Sequence, residues 1–106
     1  MIPDPSPPFE FHPSGLIGER IRTLIERATE LGLRAEAVRA FSRVERLLKT
    51  RPRDWGDPVR QYRSHQLTEY RAQLWNLQFR YTVHDRIPIV FLNLIRPLPR
   101  SPLYGL

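Results

Sequence analysis

The side chains of this chain that could do chemistry are its arginines, three histidines and a handful of aromatics. All but one of the seventeen basic residues are arginine, Lys49 being the exception. A guanidinium is a planar fork that grips phosphate or carboxylate through two parallel hydrogen bonds, so this bias suits a polyanionic or acidic partner. A coding bias that writes Arg for Lys would leave the same composition, and charge alone does not separate RNA, DNA and an acidic protein. His84 and Asp85 stand side by side, as an acid/base pair would. His65 lies in a basic stretch with Arg60 and Arg63, and imidazole is the side chain best suited to general acid/base work near neutral pH. Trp55 and Trp75 could stack on bases, or plug a loop and a turn onto the core.

The charge is unevenly spread. Residues 1–50 carry a net +1, whereas residues 51–106 hold nine arginines against four carboxylates, a net +5. No cysteine is present, so disulfides and thiolate metal sites are excluded, and a cytoplasmic protein is the default expectation. His12, His65 and His84 are far apart and have no accompanying carboxylate cluster, so no metal is expected. Gly15-Leu16-Ile17-Gly18 lacks the preceding strand and the lysine of nucleotide-binding loops, and no cofactor is expected. No apolar run approaches the ~20 residues that span a bilayer, and the N-terminus has no leader pattern, so neither membrane contact nor export is expected.

The elements that must position these residues follow from periodicity. Residues 1–13 contain five prolines and read as an extended segment, in which Phe9-Glu10-Phe11 could add an edge strand. Residues 14–106 read as a single domain. Ile17, Ile21, Leu24, Ile25, Ala28 and Leu31 draw one apolar stripe on a helix, with Gly32 at the left-handed cap position. Ala37, Val38, Phe41, Val44, Leu47 and Leu48 draw a second, which Arg51-Pro52 ends. Residues 51–66 show no period and read as a long basic loop. Tyr70, Ala72 and Leu74 then alternate with Arg71 and Gln73, and Leu77, Phe79, Tyr81 and Val83 alternate with Gln78, Arg80 and Thr82. From Ile87 to Ile95 both parities are mostly apolar, as in a strand covered on both faces.

Together these predict an α+β two-layer domain, a helical hairpin on one face of a three- to four-stranded, mainly antiparallel sheet. The opposite face carries Arg71, Gln78, Arg80 and Thr82, where a phosphate backbone could lie. Arginines are also what keeps an open sheet face soluble. Adjacent strand residues point to opposite faces, so His84 and Asp85 are poorly placed as a dyad and read as a hairpin corner.

This order of elements, with Tyr81-Thr82-Val83-His84-Asp85 and Phe91, resembles the RelE/ParE superfamily of type II toxins. There a strand of the form Y-R-x-x-Y-x-V-x-D precedes a turn and an apolar strand with a central phenylalanine. The resemblance spans about residues 9–98 and implies a RelE-like fold. It implies a toxin neutralised by a cognate antitoxin protein, whose acidic amphipathic segment wraps helices and sheet. For the RelE branch it further implies mRNA cleavage on the ribosome, with basic side chains stabilising the phosphorane-like transition state. Arg71 matches the family's basic residue in the preceding strand, and Tyr104 stands near the place of its catalytic C-terminal tyrosine. Gln78 replaces the arginine of Y-R-x-x-Y and Leu77 its tyrosine, while Arg80 lies on the same face. Arg96 and Arg100 flank the place of the basic residue after the last strand, and the HigB branch has a histidine where His65 falls. Gln78 in place of that arginine fits a degraded relative of the nuclease, or the alternative of a non-enzymatic, DNA gyrase-binding ParE-like toxin; an orphan interaction domain is the third possibility.

Overall fold

A computed structural model describes residues 8–104 of the chain, and the first prolines (Pro3, Pro5 and Pro7) lie outside the described residues. Strand β1 (Glu10–Pro13) leads into helix α1 (Ile17–Glu30), helix α2 (Arg34–Thr50) and a single helical turn, α3 (Pro52–Trp55). Four further strands follow: β2 (Asp57–Tyr62), β3 (Leu67–Leu74), β4 (Leu77–His84) and β5 (Ile89–Pro97).

Helix α1 stops for a backbone reason. Gly32 adopts φ 76 and donates to the Thr29 carbonyl, while the Leu33 amide reaches back to the Ala28 carbonyl at 2.7 Å. These two bonds satisfy carbonyls that the helix end would leave orphaned, and the left-handed residue suits glycine. Both helices bury the stripe their spacing draws, through Ile17, Leu24 and Ala28 on α1 and Ala37, Ala40, Val44 and Leu48 on α2. Val38 leaves the predicted stripe and is exposed, because the buried face runs through Ala40 instead.

Among the described residues the sheet has five strands in the order β1-β5-β4-β3-β2, not three to four. It is mixed rather than mainly antiparallel, since β1 runs parallel to β5. The fifth strand is β2, which lies within the stretch expected to be a loop. Its residues are exposed on both sides, so no alternation marks it, and a bulge lies between Pro58 and Arg60. An edge strand tolerates proline because one row of its amides has no partner. The remainder of that stretch is α3 and a 3₁₀ turn at Arg63–His65. Strand β5 is central, yet only one of its faces is covered: Val90, Leu92 and Ile95 are buried, whereas Ile89, Phe91 and Leu94 remain half-exposed.

The core lies between the helices and the face bearing Leu77, Phe79, Tyr81 and Val83, all at 1% exposure or less. Tyr81 is a polar anchor within it. The phenol donates to the Pro52 carbonyl at 2.7 Å and accepts the Gly56 amide at 2.8 Å, tying α3 and the start of β2 to β4. Trp55 and Tyr70 stack on the same ring at 5.5 and 5.3 Å, so Trp55 plugs α3 onto the core. Trp75 takes φ 58 in the two-residue β3–β4 turn, a conformation unfavourable for a bulky side chain, and its indole packs against the core in compensation.

Tyr81→Phe should cost about 1–3 kcal/mol by urea unfolding, because it strands a buried carbonyl and amide. A Cβ at Gly56 would lie 2.6 Å from the Tyr81 hydroxyl and 2.9 Å from the Arg71 carbonyl. Gly56→Ala should therefore destabilise by about 1–3 kcal/mol. The double variant should fall short of the sum, since removing the hydroxyl relieves part of that clash. Burial pushes the phenol pKa of Tyr81 well up, and that of Tyr70 up as well. The neutral phenol is the form the fold holds. The resulting stability is complete below the ordinary tyrosine pKa of ~10 and should be lost as pH rises above it. Unfolding free energy measured against pH should show that decline, shallower in Tyr81→Phe.

Candidate functional site

The face of the sheet away from the helices is built by strand register. Arg71 on β3 pairs directly with Arg80 on β4, so the two guanidinium side chains rise from neighbouring points of one face. One step toward the β3–β4 turn, Gln73 faces Gln78, and Gln78 faces Arg96 on β5. Arg96 donates to the Gln78 carbonyl oxygen at 2.9 Å, so the neutral residue holds a charged neighbour on the face. On β2, Arg60 faces Glu69 and packs over the Tyr62 ring at 5.2 Å. Arg60, the Arg71–Arg80 pair and Arg96 thus form a diagonal stripe across four strands. With strands ~4.8 Å apart and a rise of ~3.4 Å per residue, it extends about 20 Å.

The remaining predicted residues lie outside this stripe. His65 and Arg63 sit in the 3₁₀ turn between β2 and β3, and the His65 Nδ1 pairs with the Ser64 hydroxyl at 3.1 Å. That turn precedes Leu67, four residues before Arg71, which is ~13 Å along a strand. Arg100 and Tyr104 occupy turns after β5, beyond the opposite end of the sheet, where the Leu98 amide bonds the Asn76 carbonyl. Leu103 is fully buried in the core and pins this tail, while Tyr104 stays exposed. The structure therefore assembles Arg60, Arg71, Arg80, Gln78 and Arg96 on one face, and puts His65 and Tyr104 at opposite ends.

His84 and Asp85 form no dyad. The His84 Nδ1 accepts the backbone amides of Arg86 and Ile87, each at 3.1 Å, and so caps the hairpin corner. The Asp85 carboxylate accepts the Thr68 hydroxyl at 2.7 Å. His84 is spent on the turn between β4 and β5, and Asp85 ties that turn to β3.

Two further residues on the open face are not among those that sequence reasoning singles out. Glu69 accepts the Tyr62 hydroxyl at 2.9 Å and pairs with the Arg80 guanidinium at 3.4 Å. Glu69 does carry a signal, because it stands two residues before Arg71 and shares its parity. Tyr62 carries none, since β2 shows no alternation. Among the described residues no group of three His, Asp or Glu could hold a metal ion, and no helix is long and apolar enough to cross a membrane.

No family profile matches this sequence, and no curated protein matches it in sequence. A solved structure does match in shape: a chain of the archaeal RelE–RelB complex from Pyrococcus horikoshii OT3, with a TM-score of 0.63 at 18% identity. The match covers 88% of this chain and 98% of that one. Two chains so far apart in sequence share the path of the backbone rather than a set of side chains, and the fold of this protein is RelE-like.

Proposed function

We propose that this chain is the toxin of a type II toxin–antitoxin pair and cleaves mRNA on the ribosome. The observation that carries the reading is the Arg71–Arg80 cross-strand pair on the uncovered face. Like charges directly opposite each other in an antiparallel pair are destabilising, so the fold gains nothing from that juxtaposition by itself. A phosphodiester lying across the pair gains from both guanidinium groups. When an RNA 2′-oxygen attacks the adjacent phosphorus and the bond to the 5′-oxygen breaks, negative charge builds on the non-bridging oxygens. Two fixed cations are suited to hold that charge. Arg60 and Arg96 extend the stripe along the RNA backbone, with Gln78 orienting Arg96. In this reading His65 and Tyr104 stay outside the stripe, so the 2′-hydroxyl gives its proton to solvent and the leaving 5′-oxygen takes one from it.

The partner in this reading is an acidic antitoxin, and the surfaces that suit it are two. One is the stripe itself. The other is an apolar groove between the helices and the β1–β5 edge, lined by Phe11, Ile21, Ile25, Val38, Phe41 and Leu92. The structural neighbour comes from a two-protein complex, RelE with RelB, and that likeness supports a partner here. A neighbouring reading frame encoding a small acidic protein belongs with this reading, as does a cytoplasmic site of action.

Induction in a bacterial host should arrest translation and leave mRNA ends cut between codons. The Arg71→Ala, Arg80→Ala double variant should lose cleavage by about 100-fold or more. Cleavage that persists in the double variant sinks the assignment. A DNA-damage response without mRNA cleavage points instead to a gyrase-binding toxin.

A further inference from the structure

The open face already holds an anion. The Glu69 carboxylate lies between the Tyr62 hydroxyl, 2.9 Å from one oxygen, and the Arg80 guanidinium, 3.4 Å from the other. Its side chain is only 16% exposed, against 43% for Arg80. The Arg80 Nε is buried and has no hydrogen-bond partner, so one donor of the guanidinium is left unsatisfied beside the carboxylate. A buried, unsatisfied donor costs free energy that a better-placed acceptor recovers. The pair is neither short nor bidentate, whereas a phosphate offers more acceptor oxygens and suits the guanidinium fork better. Asp57, the register partner of Arg71, supplies a second carboxylate on the same face but makes no such contact with Arg80.

We infer that Tyr62 and Arg80 form a phosphate-binding site that Glu69 occupies in the free protein and yields when a phosphodiester arrives. Glu69 then has two effects. It neutralises Arg80 while the face is empty, which relieves the repulsion between Arg71 and Arg80, and it sets a threshold that a weakly bound anion does not cross. The inference rests on reading the open face as a polyanion surface, but it concerns a site that inorganic phosphate alone can probe.

The test is a phosphate titration of the ¹⁵N-labelled full chain at low ionic strength, following the Arg80 side-chain Nε–H signal. Four proteins are compared: the unaltered chain, Glu69→Gln, Asp57→Asn, and Glu69→Gln combined with Tyr62→Phe. Glutamine keeps the shape of Glu69 and an acceptor for Tyr62, so Glu69→Gln retains the fold. It should bind phosphate about two- to fivefold more tightly, the factor that corresponds to a partly exposed ion pair. Asp57→Asn removes the same unit of charge from the same face and should titrate like the unaltered chain. Adding Tyr62→Phe to Glu69→Gln should reverse part of the gain. In parallel, single-stranded RNA binding by Glu69→Gln should tighten by a similar factor with an unchanged salt slope, because Arg80 makes the same phosphate contact in both proteins once Glu69 has yielded. Identical titrations of the unaltered chain and Glu69→Gln overturn the site and leave the toxin reading standing. An equal gain in Asp57→Asn also overturns it, since net charge then explains the effect. A phosphate gain in Glu69→Gln without RNA binding by any of the proteins supports the site and overturns the reading of the open face as an RNA surface.

Discussion

One phenol holds this domain's two halves to each other. Tyr81 lies at the centre of the buried face of β4, and its hydroxyl bridges the Pro52 carbonyl and the Gly56 amide. Those two residues bracket the short connection by which the helical layer hands the chain to the edge of the sheet. Without a polar group at that depth, the chain would have to bury an unmatched carbonyl and an unmatched amide, or lift the connection away from the core. The close approach of Gly56 to the Arg71 carbonyl follows from the same geometry. The backbone that carries Arg71 is thus positioned from beneath by a core tyrosine, and the exposed arginine inherits its place from a hydrogen bond on the other side of the sheet.

The open face shows how a sheet without a second layer accommodates a concentration of charge. Arg71 and Arg80 face one another, and the nearby carboxylates Asp57 and Glu69 offset part of the charge. Toward β5 the same face turns apolar, with Phe91 stacked on His12 at 5.7 Å and Ile89 and Leu94 half-exposed. A partner that covers it must therefore present acceptors at one side and hydrocarbon at the other.

What the sequence made legible was whatever burial stamps on one parity or one helical stripe. Strands β3 and β4 and both long helices were readable because each has one dry face. Gly32 announced the end of α1 because only a left-handed residue fits there, and the Trp75-Asn76 turn was legible from the strands on either side of it. Strand β2 was invisible for the opposite reason: an edge strand wet on both sides leaves no pattern, and Pro58 argued against it. The parallel pairing of β1 could not be read at all, since strand direction depends on where the intervening helices carry the chain. On β5 the hydrophobicity of both faces was visible but its meaning was not, because an uncovered apolar face looks the same in sequence as a buried one. The stripe of arginines was half legible: Arg71 and Arg80 by parity, Arg96 only as a flanking residue, and Arg60 as a loop residue that is in fact on a strand.

The partnership of β1 with β5 has a consequence for the time order of folding. Among the described residues the first strand, Glu10–Pro13, finds its strand neighbour at Ile89–Leu92, and Leu103, further along still, also packs in the core. Contacts of such long sequence separation form late, because the loop between them must close first. On a ribosome the helix pair can assemble as it emerges, whereas the sheet can close over it only once nearly the whole chain is outside the tunnel. The arginine surface is consequently a property of the finished molecule, and a nascent fragment carries the charges without the register that aligns them.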